Sequence, residues 1–199
     1  MDDLTIRRTS AARARMTFSE FAAFYMSRPN GERWELIDGE AIKVAPPTLV
    51  HQAIAENICD LLKKRLKVLK SDRRAMMDVG VHVLENEDYS PEPDVVVIDR
   101  KIELGQIWAE RFYFAVEILS DDSRTVQAKK RAFYSGHAHC FGFMFVRQDE
   151  IGVELSSRGD DGWHTHEVNN PDAMIELPML GKIGRLNKFY ETTPLDGAS

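Results

Sequence analysis

The chain has 199 residues, 43% of them hydrophobic and 29% charged, with a net charge of −6 and two cysteines. That length leaves room for a real hydrophobic core and suits one domain. The acidic balance argues against a protein that coats nucleic acid by charge alone. Two cysteines are too few for a disulfide scaffold, no apolar run approaches the roughly 20 residues that cross a bilayer, and no apolar signal core follows the N-terminus. The expectation is a cytoplasmic protein without a membrane partner.

Residues 1–16 are polar and Arg-rich and read as a flexible lead-in. Thr17-Phe18-Ser19-Glu20 is a capping-box pattern that starts a helix running to about Met26. Asp38-Gly39 between two strand-like runs, 33–37 and 40–44, predicts a hairpin. Pro46-Pro47-Thr48 opens the longest helix, with Ile54, Ile58, Leu61, Leu62, Leu66 and Leu69 at helical spacing up to Lys70, or about 23 residues. Residues 75–84 alternate as a strand; 95–98 and 112–119 are apolar strands, separated by a loop or short helix over 100–110. Asp121-Asp122-Ser123 supplies N-caps for a helix to about Tyr134, stopped by Gly136. Strands follow at 140–146, 151–156 and 163–168, the last two as a hairpin, and the stretch to Phe189 adds one short strand. This order predicts an α/β fold: a central mixed sheet flanked by helices, with an N-terminal helix and hairpin, folded over 17–190 and followed by a tail at 191–199.

Glu117 lies inside Phe112-Tyr113-Phe114-Ala115-Val116-Glu117-Ile118-Leu119, where a carboxylate must be neutralised, paired or bound to a metal. Asp94 opens a second apolar strand. Alternation puts Asp94 with Val96 and Ile98, and Glu117 with Tyr113, Ala115 and Leu119; if the strands are neighbours, the two acids approach. Two bare carboxylates about 4 Å apart repel by ~4 kcal/mol at an effective dielectric of 20, and a hard divalent cation turns that repulsion into ligation. Val126, Lys130, Phe133 and Tyr134 form one helical stripe, which aims Lys130 at the same sheet. Each residue also has a structural reading: Asp94 capping a turn, Glu117 and Lys130 forming a buried ion pair.

Trp34-Glu35-Leu36-Ile37-Asp38-Gly39-Glu40, His51-Gln52, Pro93-Asp94-Val95-Val96-Val97, Val116-Glu117-Ile118-Leu119-Ser120 and Lys130 four before Tyr134 make an ordered set. In that set the chain resembles the Uma-two family of restriction endonucleases, within the PD-(D/E)XK nuclease superfamily, over roughly residues 17–190. The resemblance implies a restriction-endonuclease-like core, a Mg2+ (or Mn2+) ion held by Asp94 and Glu117, and nucleic acid, DNA first, as partner. It implies Lys130 as the catalytic lysine, since Leu119 holds the superfamily's usual lysine position. Glu40 and His51 match family positions near the same cleft, Glu40 as an extra ligand through water and His51 as a hydrogen-bonding or acid–base group. The chain departs from the pattern at Val126, at His137-Ala138-His139-Cys140-Phe141 and at Arg147.

The expected activity is therefore metal-dependent endonucleolytic hydrolysis of DNA phosphodiester bonds. The alternative is a catalytically inactive nuclease-fold domain that binds nucleic acid or protein. A homodimer suits duplex cleavage, yet no residue demands it. The basic residues Lys63, Lys64, Arg65, Lys67, Lys70, Arg73 and Arg74 read either as a solvated helix face or as a rim that tracks a phosphate backbone. A second basic group, Arg124, Lys129, Lys130 and Arg131, reads the same two ways. His137 and His139 with Cys140 suggest a zinc site, but the spacing matches no standard structural pattern. His164 and His166 read as exposed strand residues, and the tryptophans as core or interface. No glycine-rich phosphate loop or Gly-x-Ser-x-Gly nucleophile setting is present.

Overall fold

A computed structural model describes residues 15–119 and 124–197. The lead-in up to residue 14, the candidate caps Asp121, Asp122 and Ser123, and the last two residues lie outside them. The first helix, α1 (Phe18–Met26), starts at the expected capping box: the Thr17 side chain accepts from the Glu20 amide and the Glu20 carboxylate accepts from the Thr17 amide at 2.8 Å. Strands β1 (Trp34–Ile37) and β2 (Glu40–Lys43) then form a separate two-stranded sheet. Asp38 and Gly39 turn it with φ of 55° and 73°, the positive pair that a tight two-residue hairpin requires.

Helix α2 (Leu49–Val68) is 20 residues long, three fewer than expected. Thr48 is its N-cap, accepting from the His51 amide at 3.1 Å, so the two preceding prolines stay outside. Its apolar stripe, Ile54, Ile58, Leu62 and Leu66, is buried.

Among the described residues, six strands form the main sheet in the order β3 (Arg73–Met77), β4 (Val95–Asp99), β5 (Phe112–Leu119), β6 (Gly142–Arg147), β7 (Val153–Gly159) and β8 (Gly162–Val168). Neighbours run antiparallel except β5 and β6, which are parallel. A parallel pair needs a crossover, and helix α3 (Arg124–Gly136) lies in it. Two strands, β9 (Met174–Leu177) and β10 (Gly181–Arg185), then make a second hairpin before a 3-10 turn at Leu186–Phe189. The sequence suggested one strand there.

Strand β3 ends seven residues before the expected Leu84. Asp78 turns left-handed with φ 53° and pairs with Arg33, so the alternation of Val79, Val81 and Val83 continues outside the sheet. Val81 keeps one isolated bridge to Ala109. Gly80 is pressed against Trp108, where a β-carbon would sit 2.6 Å from the ring. The 100–110 segment forms no helix.

Alternation sorts the sheet into two faces. Val95, Val97, Phe114, Val116 and Ile118 pack with α2 and the C-terminal hairpin. Val96, Ile98, Phe112 and Ala115 pack with Phe133 and Tyr134 of α3. Among the described residues no helix is long and apolar enough to cross a membrane.

Candidate active site

The register pairs Val95 with Val116. Asp94, one residue before β4 begins, and Glu117 therefore stand at the same end of neighbouring strands and share the α3 face. The Ile118 amide donates to Asp94 Oδ2 at 2.6 Å, and His51 Nε2 lies 3.3 Å from Asp94 Oδ1. Lys130 reaches down from α3 to sit 2.9 Å from Glu117 Oε2 and 2.9 Å from Glu35 Oε1. The Tyr134 hydroxyl donates to Glu117 Oε1. Asp94, Glu117 and Lys130 are 9%, 7% and 5% exposed, so each charge has left bulk water and depends on these partners.

Glu35 holds the N-terminal hairpin to the cluster. It lies on β1, is buried, and its Oε1 also accepts from the Glu92 amide at 2.7 Å. Around it Arg33 donates to Glu92 at 2.7 Å and pairs with Asp78 at 2.8 Å. A cavity of about 130 Å³ opens onto the group, lined among others by Glu35, His51, Asp94, Glu117, Lys130 and Gln148. Gln148, just past β6, accepts from the Thr48 hydroxyl at 3.1 Å and closes the wall beside α2.

The electrostatics are those of surplus negative charge under burial. Burial pushes the Glu117 carboxyl up to about 8; the Lys130 ammonium pulls it down, and Asp94 and Glu35 push it further up. Burial works against the Lys130 charge, but Glu117 and Glu35 outweigh it and hold the lysine protonated. Burial likewise disfavours the His51 cation, and the hydrogen bond and charge of Asp94 reverse the balance and raise its pKa. Burial lifts Glu92 to about 7 in spite of Arg33.

Of the residues expected from sequence, Asp94, Glu117, Lys130 and His51 meet in this cavity. Glu40 does not join them. It is exposed on β2 and lines a separate cavity of about 540 Å³ with Trp34, Asp38 and Lys129. Position along the hairpin separates them: Glu40 pairs in register with Ile37 and so shares the Glu35 face, but it lies at the turn, while Glu35 lies farther along β1, where it meets Lys130. Glu35 was missed, although a lone acid beside Leu36 and Ile37 carries the same signal that marked Glu117.

The basic run lies elsewhere. Lys63 is twelve residues beyond His51, roughly 18 Å along the helix, and Arg73 and Arg74 pair with Asp99 and Ile98, at the other end of β4 from Asp94. Arg65 donates to the Leu180 carbonyl and Arg73 stacks over Tyr113 at 3.8 Å. The second basic group divides: Lys130 is buried in the site, whereas Lys129 pairs with Asp38 at 2.8 Å and Arg131 pairs with Glu154.

Two carboxylates on neighbouring strands and a lysine delivered by the crossover helix stand together at one end of a mixed sheet. The fold matches, with a TM-score of 0.69 and 22% identity, the crystal structure of "a putative nuclease belonging to DUF820" from Anabaena variabilis, covering 88% of this chain and 97% of that one. No curated protein matches the sequence. The family model "Uma2: Putative restriction endonuclease" matches residues 18–185, and the chain belongs to that family.

Proposed function

We propose that the chain is a divalent-metal-dependent endonuclease that hydrolyses DNA phosphodiester bonds. The observation that supports this best is the meeting of Asp94, Glu117 and Lys130 at one buried cavity. Among the described residues, no group of three or more His, Cys, Asp or Glu side chains stands ready to hold a metal ion. Mg2+ does not require one, because it keeps several waters and is commonly bound through one or two carboxylates. The donors fit such an ion: they are hard oxygens, and four acids (Glu35, Glu92, Asp94 and Glu117) line the cavity with Arg33, Lys43 and Lys130. Asp94 and Glu117 would hold the ion, which when bound acidifies water and neutralises phosphate charge.

The chain's own groups do the positioning. The Ile118 amide and His51 fix the Asp94 carboxylate from both oxygens. Tyr134 and Lys130 fix Glu117 in the same way. Lys130 stays charged and supplies the cation next to which negative charge on a phosphate develops. Glu35 sets the height of that ammonium from the far side.

One observation favours a second reading. All four oxygens of Asp94 and Glu117 already have protein partners, which suits a catalytically inactive nuclease-fold domain that binds nucleic acid or protein. Supercoiled plasmid incubated with Mg2+ or Mn2+ separates the two, beside an Asp94→Ala control and a single-stranded RNA arm. Nicking of the plasmid that the substitution abolishes supports the enzyme. Cleavage that survives the substitution rejects the assignment, and no cleavage together with no Mg2+ heat in calorimetry favours the inactive domain.

A further inference from the structure

The N-terminal hairpin brings a second charged side chain to the carboxylate cavity. Arg33 stands just before β1, and its carbonyl accepts from the Val44 amide at 3.0 Å, which extends the hairpin ladder by one pair. Arg33 and Glu35 are two residues apart and so share a side, and both line the cavity with Asp94, Glu117 and Lys130. The chemistry proposed above leaves this arginine without a role.

Its two partners are unequal. Nε donates to Glu92 Oε1 at 2.7 Å, and the Glu92 side chain is 10% exposed. Nη2 lies 2.8 Å from Asp78 Oδ1, and the Asp78 side chain is 51% exposed. A pair with so exposed a carboxylate contributes little, whereas a buried partner is costly to remove. Glu92 is therefore the anchor, and Asp78 fills a place that another anion can take. Asp78 is also close to the candidate metal ligands, since its amide donates to the Asp94 carbonyl at 3.3 Å. Burial disfavours the Arg33 charge, but Glu92, Asp78 and Asp94 outweigh it and hold the pKa above its ordinary value.

We propose that Arg33 is a phosphate-binding residue: anchored by Glu92, it exchanges Asp78 for a non-bridging oxygen of the nucleic-acid backbone and so sets the strand against Asp94 and Glu117. The proposal rests on the nuclease reading of that cavity. A guanidinium suits the task because it is always charged and its planar fork matches phosphate geometry. The other two cations of the lining are less suited. Lys130 is buried between Glu35 and Glu117, and Lys43 is exposed and held by Glu32 at 2.6 Å.

The test is fluorescence anisotropy of a labelled DNA duplex with the full chain, in EDTA at low salt, so that binding is read without cleavage. Arg33→Ala is expected to weaken binding about tenfold and to reduce the slope of log affinity against log salt by about one. Arg33→Lys keeps the charge without the fork and is expected to lose less. Asp78→Asn removes the competing carboxylate and is expected to tighten binding about threefold. Arg185→Ala removes an exposed arginine outside the cavity lining and is expected to bind as the wild type does. Thermal melts check folding, and if Arg33→Ala melts early, Arg33→Lys and Asp78→Asn carry the test. No binding, binding that Arg33→Ala leaves unchanged, or an equal loss in Arg185→Ala overturns the proposal. So does weaker binding by Asp78→Asn, the result expected of a purely structural pair. Arg33-dependent binding by a chain that never nicks plasmid counts against the nuclease reading and leaves the phosphate contact standing. Nicking by a chain whose binding ignores Arg33 does the reverse.

Discussion

On the face of the sheet covered by α2, Val95, Val97, Phe114, Val116 and Ile118 join one hydrophobic cluster with Ile54, Ile58, Leu62 and Leu66. On the face covered by α3, Val96, Ile98 and Ala115 follow the same pattern until the strands end, and there Asp94 and Glu117 take the next places. The same two strands build both faces, one residue out of phase. One face therefore carries stability, and the other spends some of it on a charged cluster that burial makes expensive.

The sharpest way to break this comparison is Asp94→Asn, which keeps the shape and removes a charge. Cleavage should fall by about a thousandfold, while the urea midpoint holds or rises, because one of four crowded acids is gone. Loss of both activity and stability would instead make the α3 face a structural element. On the other face, Leu62→Ala should cost about 3 kcal/mol in urea unfolding and leave the rate per folded molecule unchanged. A smaller effect belongs to the helix that touches neither cluster of the central sheet: Thr17→Ala removes the α1 cap and should cost about 1 kcal/mol.

The smallest effect is a pH dependence. Burial lowers the His82 pKa, only partly offset by its contact with the Tyr89 carbonyl, and the ring stacks on Phe18 at 3.4 Å. The unfolded chain, with an ordinary value of 6.5, then binds more protons than the folded one. The stabilisation is present above pH 6.5 and lost as pH falls through the lowered folded value. The stability difference between wild type and His82→Phe should therefore shift against the wild type between pH 7 and pH 5. A difference that stays constant would mean that His82 titrates alike in both states.

Much of this architecture can be read from residue order. Capping at Thr17, the Asp38-Gly39 turn, the α2 stripe and the run around Glu117 are local signals, and each element formed where its signal lies. Period-two alternation gave each acid its companions on its own strand, the β4–β5 register then brought the two to one face, and helical spacing aimed Lys130 at the sheet. What failed was non-local. The valines after Met77 alternate like a strand, but Asp78 is held by Arg33, a distant residue, and the sheet stops there. Glu35 and Glu40 carry the same carboxylate on one short hairpin, and which of them faces Lys130 is decided by how that hairpin docks on α3.

Lys130 belongs to a helix that must traverse from one parallel strand to the next before it can meet Glu117. On the proposed reading, a half-made or heat-damaged molecule in which that crossover has come loose keeps its acids but lacks its ammonium. Such a molecule lacks the charge that the proposed cleavage needs, so correct assembly itself acts as the safety catch.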